Sequence, residues 1–122
     1  MKHVLLVEDD QDVREAVCES LEDVGFAVST AANGLLALGA LAAANELPGL
    51  ILLDLTMPVM NGEHFLRELR KNPRLSALHV VLFTANGHAV AEPVRLGADH
   101  GLRKPVQLHD LVATVSKYCG DR

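Results

Sequence analysis

The stretch Ile51-Leu52-Leu53-Asp54-Leu55-Thr56-Met57-Pro58 limits the fold more than any other part of the chain. Three consecutive apolar residues leave no face for water, which marks a strand covered on both sides, as in the interior of a parallel sheet. The run then meets a carboxylate, a threonine and a proline, so the strand ends at solvent with Asp54 at its mouth. A carboxylate placed directly after a buried run is costly to desolvate without a partner. Asp54 is therefore the first candidate functional residue.

The same pattern recurs on either side. Val4 to Val7 is a second fully apolar run, and it ends in Glu8-Asp9-Asp10. Three adjacent acids repel one another; a solvated turn capping the next helix is one explanation, and a bound cation accounts better for their crowding. From Gln11 to Val24, Val13, Val17, Leu21 and Val24 fall at helical spacing, with Gly25 placed for a left-handed cap. Phe26 to Ala31 reads as a strand, Asn33-Gly34 as a turn and Leu35 to Ala44 as an alanine-rich helix, broken by Pro48-Gly49. Beyond Asp54, Phe65, Leu66 and Leu69 share a helical face, and Arg67, Arg70 and Lys71 crowd the C-terminal end, where cations suit the helix dipole. Asn72-Pro73 stops that helix. His79 to Phe83 is a fourth apolar strand, followed by Thr84-Ala85.

Pro93 complicates what comes next, because its ring removes a donor and is tolerated only in a first helical turn. The expectation is a short helix beginning near Ala91, with a loose segment from Asn86 to Val90 and an end at Gly97. His100 to Arg103 reads as a brief edge strand before Lys104-Pro105, and Leu108, Leu111, Val112 and Val115 give a last amphipathic helix.

Five strands alternating with five helices make an open α/β sheet of parallel strands, with helices on both faces. A chain of 122 residues, 49% hydrophobic and 22% charged, suits one such domain, and no output domain is expected within residues 1–122. A formal charge of −5 with no cluster of Lys and Arg argues against a nucleic-acid surface. No apolar run reaches a membrane span of roughly 20 residues, and no signal peptide opens the chain, so a cytoplasmic location is the default expectation. Cys18 and Cys119 lack CxxC spacing and read as buried or half-buried free thiols, not as a disulfide or a metal site.

Ligands bind such sheets beyond the C-terminal strand ends, where the strand order reverses. That rule gathers Glu8, Asp9, Asp10, Asp54, Thr84 and Lys104 from four strands. Converging carboxylates without histidine or thiol form a hard oxygen site suited to Mg²⁺. An ammonium, a hydroxyl and a divalent cation around one carboxylate are the parts needed to place a phosphoryl group on Asp54 as nucleophile.

Through Leu5-Leu6-Val7-Glu8-Asp9-Asp10, Leu53-Asp54-Leu55-Thr56-Met57-Pro58 with Gly62, Thr84-Ala85 and Lys104-Pro105, the chain resembles the receiver domain of two-component response regulators over its whole length. The resemblance implies a flavodoxin-like strand order 2-1-3-4-5. It implies that Asp54 accepts phosphate from a histidine kinase, a histidine phosphotransfer protein or a small phosphodonor. Asp9, Asp54 and the Thr56 carbonyl would bind Mg²⁺ directly and Glu8 mainly through water. Thr84 would hydrogen-bond the phosphoryl group, Lys104 would pair with it, and the bond before Pro105 would be cis. Thr56 and Asn86 would flank the site and tune the phosphoryl lifetime. The six histidines are scattered, and His88 is not assigned to the site.

Two departures concern output to a downstream protein partner. Receivers commonly carry Tyr or Phe three residues before the lysine, where this chain has Gly101, and Val106 stands where Phe often follows Lys-Pro. An atypical switch face made of the fourth helix, fifth strand and fifth helix is expected. Two other readings stand beside the phosphoacceptor: a docking module that no longer uses phosphorylation, and an aspartyl-phosphate phosphatase. The phosphatase would need a second acid two residues after its nucleophile, where Thr56 stands. Oligomeric state is left open by the sequence.

Overall fold

A computed structural model describes residues 3–119. In chain order the elements are β1 (His3–Val7), α1 (Gln11–Asp23), β2 (Ala27–Ala31), α2 (Gly34–Ala43), β3 (Leu50–Leu53), α3 (Gly62–Lys71), β4 (Val80–Thr84), α4 (Gly87–Ala91), a 3-10 turn (Pro93–Leu96), β5 (His100–Arg103) and α5 (Leu108–Cys119). The strands form one parallel sheet in the order β2-β1-β3-β4-β5. This is the doubly wound arrangement expected from the alternation of strands and helices.

Side chains alternate between the two faces of each strand, so the sheet divides the core in two. Leu5, Val7, Ile51, Leu53, Val80 and Leu82 pack against Ala37 and Leu41 of α2 and Phe65, Leu66 and Leu69 of α3. Val4, Leu6, Leu50, Leu52, Val81 and Phe83 face the other way, onto Val17 and Leu21 of α1 and Leu111 and Val115 of α5. All of β3 is buried, as the unbroken apolar run demands. Cys18 and Cys119 are half-buried, in α1 and α5, as read from the sequence.

Asparagine and aspartate set the helix starts. Asp10, Asn33, Asn61 and Asn86 each precede a helix and accept backbone N–H groups of its first turn through the side chain. The fourth of these overturns the expectation for residues 86–96. Asn86 Oδ1 accepts from His88 and Ala89, so the segment expected to be loose is helical from Gly87 to Ala91. Pro93 does not delay that helix; it opens a separate 3-10 turn after Glu92 leaves helical geometry at φ −135 and ψ 58. Gly97 then ends the turn in the left-handed region at φ 93. No helix among the described residues is long and apolar enough to cross a membrane.

Candidate functional site

The site lies where the strand order reverses, beyond the ends of β1 and β3. The parallel ladders continue one hydrogen bond past the strand ends and place its residues. Glu8 N–H donates to Ala31 O at 3.0 Å, Asp54 N–H to Val7 O at 3.0 Å, and Lys104 N–H to Thr84 O at 2.9 Å. A cleft of about 350 Å³ opens above them, lined by Glu8, Asp9, Asp10, Asp54, Thr56, Thr84, Ala85, Asn86 and Lys104.

Glu8, Asp9 and Asp54 each offer a carboxylate oxygen, and the three oxygens lie within 4.8 Å of one another. Glu8 is 1% exposed and Asp54 6%, whereas Asp9 is exposed. Lys104 supplies the counter-charge, with Nζ 2.5 Å from Glu8 Oε1 and 3.6 Å from Asp54 Oδ2, above the Phe83 ring. Burial pushes the Glu8 carboxyl above its ordinary value, and the charge of Asp54 adds to this; hydrogen bonds from Lys104 and the Asp10 N–H act against it. Three carboxylates converging in one cleft, two of them paired with Lys104, make a hard-oxygen donor set that fits Mg²⁺.

Every residue singled out for the site is found in this cleft, although the acidic triplet divides its work. Asp10 also caps α1, its Oδ1 accepting from Asp12 and Val13 at 2.9 and 3.1 Å. Of the two explanations weighed for the triplet, the helix cap is seen at Asp10, while Glu8 and Asp9 join Asp54 in a carboxylate cluster that could hold a cation. The Thr56 side chain is exposed, and its N–H donates to Asp54 Oδ1 at 3.2 Å. Thr84 is buried at the last position of β4, where its Oγ1 accepts from the Asn86 N–H at 3.2 Å. The Lys104-Pro105 peptide is cis, as the resemblance implied. His88 does not line the cleft; it belongs to a neighbouring hollow with Glu63 and Arg95.

Arg14 escapes sequence reasoning, and Gly62, named there only as part of the motif, gains a role. Arg14 Nη1 donates to the carbonyls of Glu8 and Asp9 at 2.8 and 3.4 Å, clamping the acidic turn from within α1. Gly62 lets α3 close over the exit of β3, since a Cβ there would lie 2.7 Å from Asp54 O and from Leu55 Cα. Its place beside Met57-Pro58 in the motif was the available signal for this closeness. Arg14 looked like any charge on an amphipathic helix.

Gly101 is also a close-approach position. A Cβ on it would meet Val90 Cα at 2.9 Å, Val90 O at 3.2 Å and Val90 Cγ1 at 3.4 Å. The place from which the resemblance would project a switch aromatic, already read as missing here, is thus occupied by Val90 of α4 lying against β5.

These features meet those of a known family. The model of the response regulator receiver domain matches residues 4–116, and the chain belongs to that family. The transcriptional regulatory protein CpxR homolog of Haemophilus influenzae is 41% identical over 117 residues, covering 94% of this chain and 49% of that protein. Response regulator Rre1 of Synechocystis is 39% identical over 115 residues, covering 92% and 49%. The chain therefore spans about half the length of these two relatives. Among solved structures, response regulator protein TrrA from Thermotoga maritima, in complex with Mg²⁺ and BeF, superposes with a TM-score of 0.84 at 30% identity over 97% of this chain and 99% of that one. The signal receiver domain of a signal transduction histidine kinase from Syntrophus aciditrophicus gives 0.86 at 29% identity over 98% and 90%.

Proposed function

We propose that this domain accepts a phosphoryl group on Asp54 from a histidine kinase or a histidine phosphotransfer protein, and passes the change to a downstream protein partner. The observation that carries the reading is the meeting of Glu8, Asp9 and Asp54 within 4.8 Å, with the ammonium of Lys104 3.6 Å from Asp54. Asp9, Asp54 and the Thr56 carbonyl would hold Mg²⁺, with Glu8 acting through water. The bound ion would offset negative charge on the phosphoryl oxygens. A carboxylate oxygen of Asp54 attacks phosphorus, the phosphorus–nitrogen bond of the donor phosphohistidine breaks, and its imidazole leaves with the bonding electron pair. Lys104 balances the charge brought onto Asp54, and the Thr84 hydroxyl turns to donate to a phosphoryl oxygen.

The relay to the surface runs through Asn86. Its N–H is bound to Thr84 Oγ1, and its side chain caps α4, which rests on Gly101. When Thr84 turns, this N–H loses its acceptor and α4 shifts on its glycine seat, altering the face of α4, β5 and α5. Phosphate favours the shifted state only through its differential contacts with it. Signalling, not turnover of a substrate, is the proposed activity: the position two residues after Asp54 holds Thr56, which cannot serve as the general acid of a phosphatase. The domain acts in the cytoplasm without binding nucleic acid.

Titration with beryllofluoride and Mg²⁺, followed by amide NMR, tests the reading. Shifts at Thr84, Asn86 and Val90 that vanish in Asp54→Asn are expected. A spectrum unchanged at saturating Mg²⁺ and beryllofluoride would leave a phosphorylation-independent docking module as the better account. Steady release of phosphate from a generic phosphoester would instead favour the phosphatase.

A further inference from the structure

Helix α2 runs Gly34-Leu35-Leu36-Ala37-Leu38-Gly39-Ala40-Leu41-Ala42-Ala43, without one polar or charged side chain. Gly34, Ala37 and Leu41 are buried, Gly34 beside Met60 and the other two in the core. Leu35 and Leu36 are 55% and 56% exposed, and Gly39, Ala40, Ala42 and Ala43 are exposed as well. With about 3.6 residues per turn, Leu36, Gly39 and Ala43 run down the middle of the outward face. A helix apolar all round is ordinarily buried on all sides. Here half of it lies on the surface of a chain with a formal charge of −5.

Gly39 adds an independent observation. Glycine in a helix interior is less stable than alanine, and a Cβ on Gly39 would meet nothing within 4 Å. Packing within the chain thus gives no reason for it, unlike Gly62 or Gly101. Close approach of a second helix gives one, because the distance between packed helices follows the size of the side chains between them.

We propose that the outward face of α2 is a self-association surface, on which the α2 helices of two copies cross antiparallel about a two-fold axis with Gly39 and Ala43 at the contact. A two-fold contact uses the same patch twice, and an uncharged patch is self-complementary in a chain whose net charge otherwise opposes pairing. The helix ends select the antiparallel sense. The first turn of α2 holds no acid, while exposed Glu46 lies just beyond its other end, where Arg74 donates to the carbonyls of Leu41 and Ala44. Antiparallel crossing brings each Glu46 towards the electropositive N-terminus of the other α2; parallel crossing would bring the two Glu46 side chains together. A helix about 15 Å long covers less than the roughly 800 Å² per partner of a stable complex, so association is weak and concentration-dependent.

Sedimentation equilibrium from about 10 μM to about 1 mM, the range in which weak dimers populate, tests this. The wild-type mass should climb towards that of a dimer, and Ala43→Glu should stay monomeric. Gly39→Ala should raise the thermal midpoint of the dilute protein yet weaken association, a pair of opposite signs that a purely structural role would not give. Val94→Glu, on an exposed residue outside α2, should leave association intact. If Ala43→Glu fails to fold by circular dichroism, Leu36→Lys takes its place. A wild type monomeric at about 1 mM, or a dimer that survives the α2 charge substitution, would overturn the proposal.

Discussion

At the C-terminal edge of the sheet, two regions hold their residues differently. At β1 and β3 the backbone is flanked by a strand on each side, every residue of β3 is buried, and Asp54 is tied to Val7. At β5 the strand is an edge, none of its four residues is buried, and the helix beside it has five residues capped by one asparagine. Acidic groups that must stay a few ångströms apart stand where the chain is pinned on both sides. The element proposed to respond stands where few contacts hold it, at the low-stability end of the structure. Gly62 and Gly101 show the same contrast: both allow close approach, but Gly62 seats a ten-residue helix with four buried residues and Gly101 a five-residue helix with one.

The contrast can be broken first at Lys104. Lys104→Ala removes the cation shared by Glu8 and Asp54, and the response of α4 to beryllofluoride should weaken by about 100-fold in effective affinity, as for loss of one preorganised electrostatic partner. A response of wild-type strength would mean that the pinned region does not depend on this pairing. The loose side is probed by Gly101→Leu, whose added atoms collide with the Val90 backbone. Denaturant unfolding should show a loss of about 2 kcal/mol, while the rate of Asp54 phosphorylation by acetyl phosphate should change far less, since Glu8, Asp9 and Asp54 are held by β1 and β3 and not by α4. An equal fall in both would show the two regions to be one unit.

Asn86→Ala sharpens the picture at smaller cost. Losing the cap should remove about 1 kcal/mol from α4, read as faster hydrogen exchange at His88 and Ala89 with β1 and β3 amides unchanged. The subtlest effect is one of pH. Glu8 has its folded pKa raised above its ordinary 4.5, so its contribution to stability is fully present below that value and is lost as pH rises through the raised folded pKa. Metal-free wild type should therefore lose some stability on going from pH 4.5 towards neutrality, and Glu8→Gln should lack that slope. An identical slope in both would place the cause elsewhere.

Much of the pinned region was legible because its physics is local. Unbroken apolar runs mark β1 and β3, and the rule that ligands sit beyond strand ends gathers Glu8, Asp9, Asp54, Thr84 and Lys104 from the sequence alone. What escaped was tertiary or depended on a competing local signal. The pairing of Lys104 with Glu8 joins residues 96 apart, and only the closed sheet brings them together. Around α4, Pro93 was given the decision, whereas Asn86 started the helix before the proline was reached. Gly101 read as a missing side chain, and in three dimensions it is a seat for Val90.

The central claim is that Asp54 receives a phosphoryl group in a magnesium-dependent way. Intact-protein mass after incubation with acetyl phosphate, with and without Mg²⁺, tests it for wild type and Asp54→Asn. A single phosphoryl adduct that requires Mg²⁺, is labile to hydroxylamine and is absent from Asp54→Asn is the predicted result. An adduct that persists in Asp54→Asn, or no adduct alongside no binding of beryllofluoride, would contradict the account.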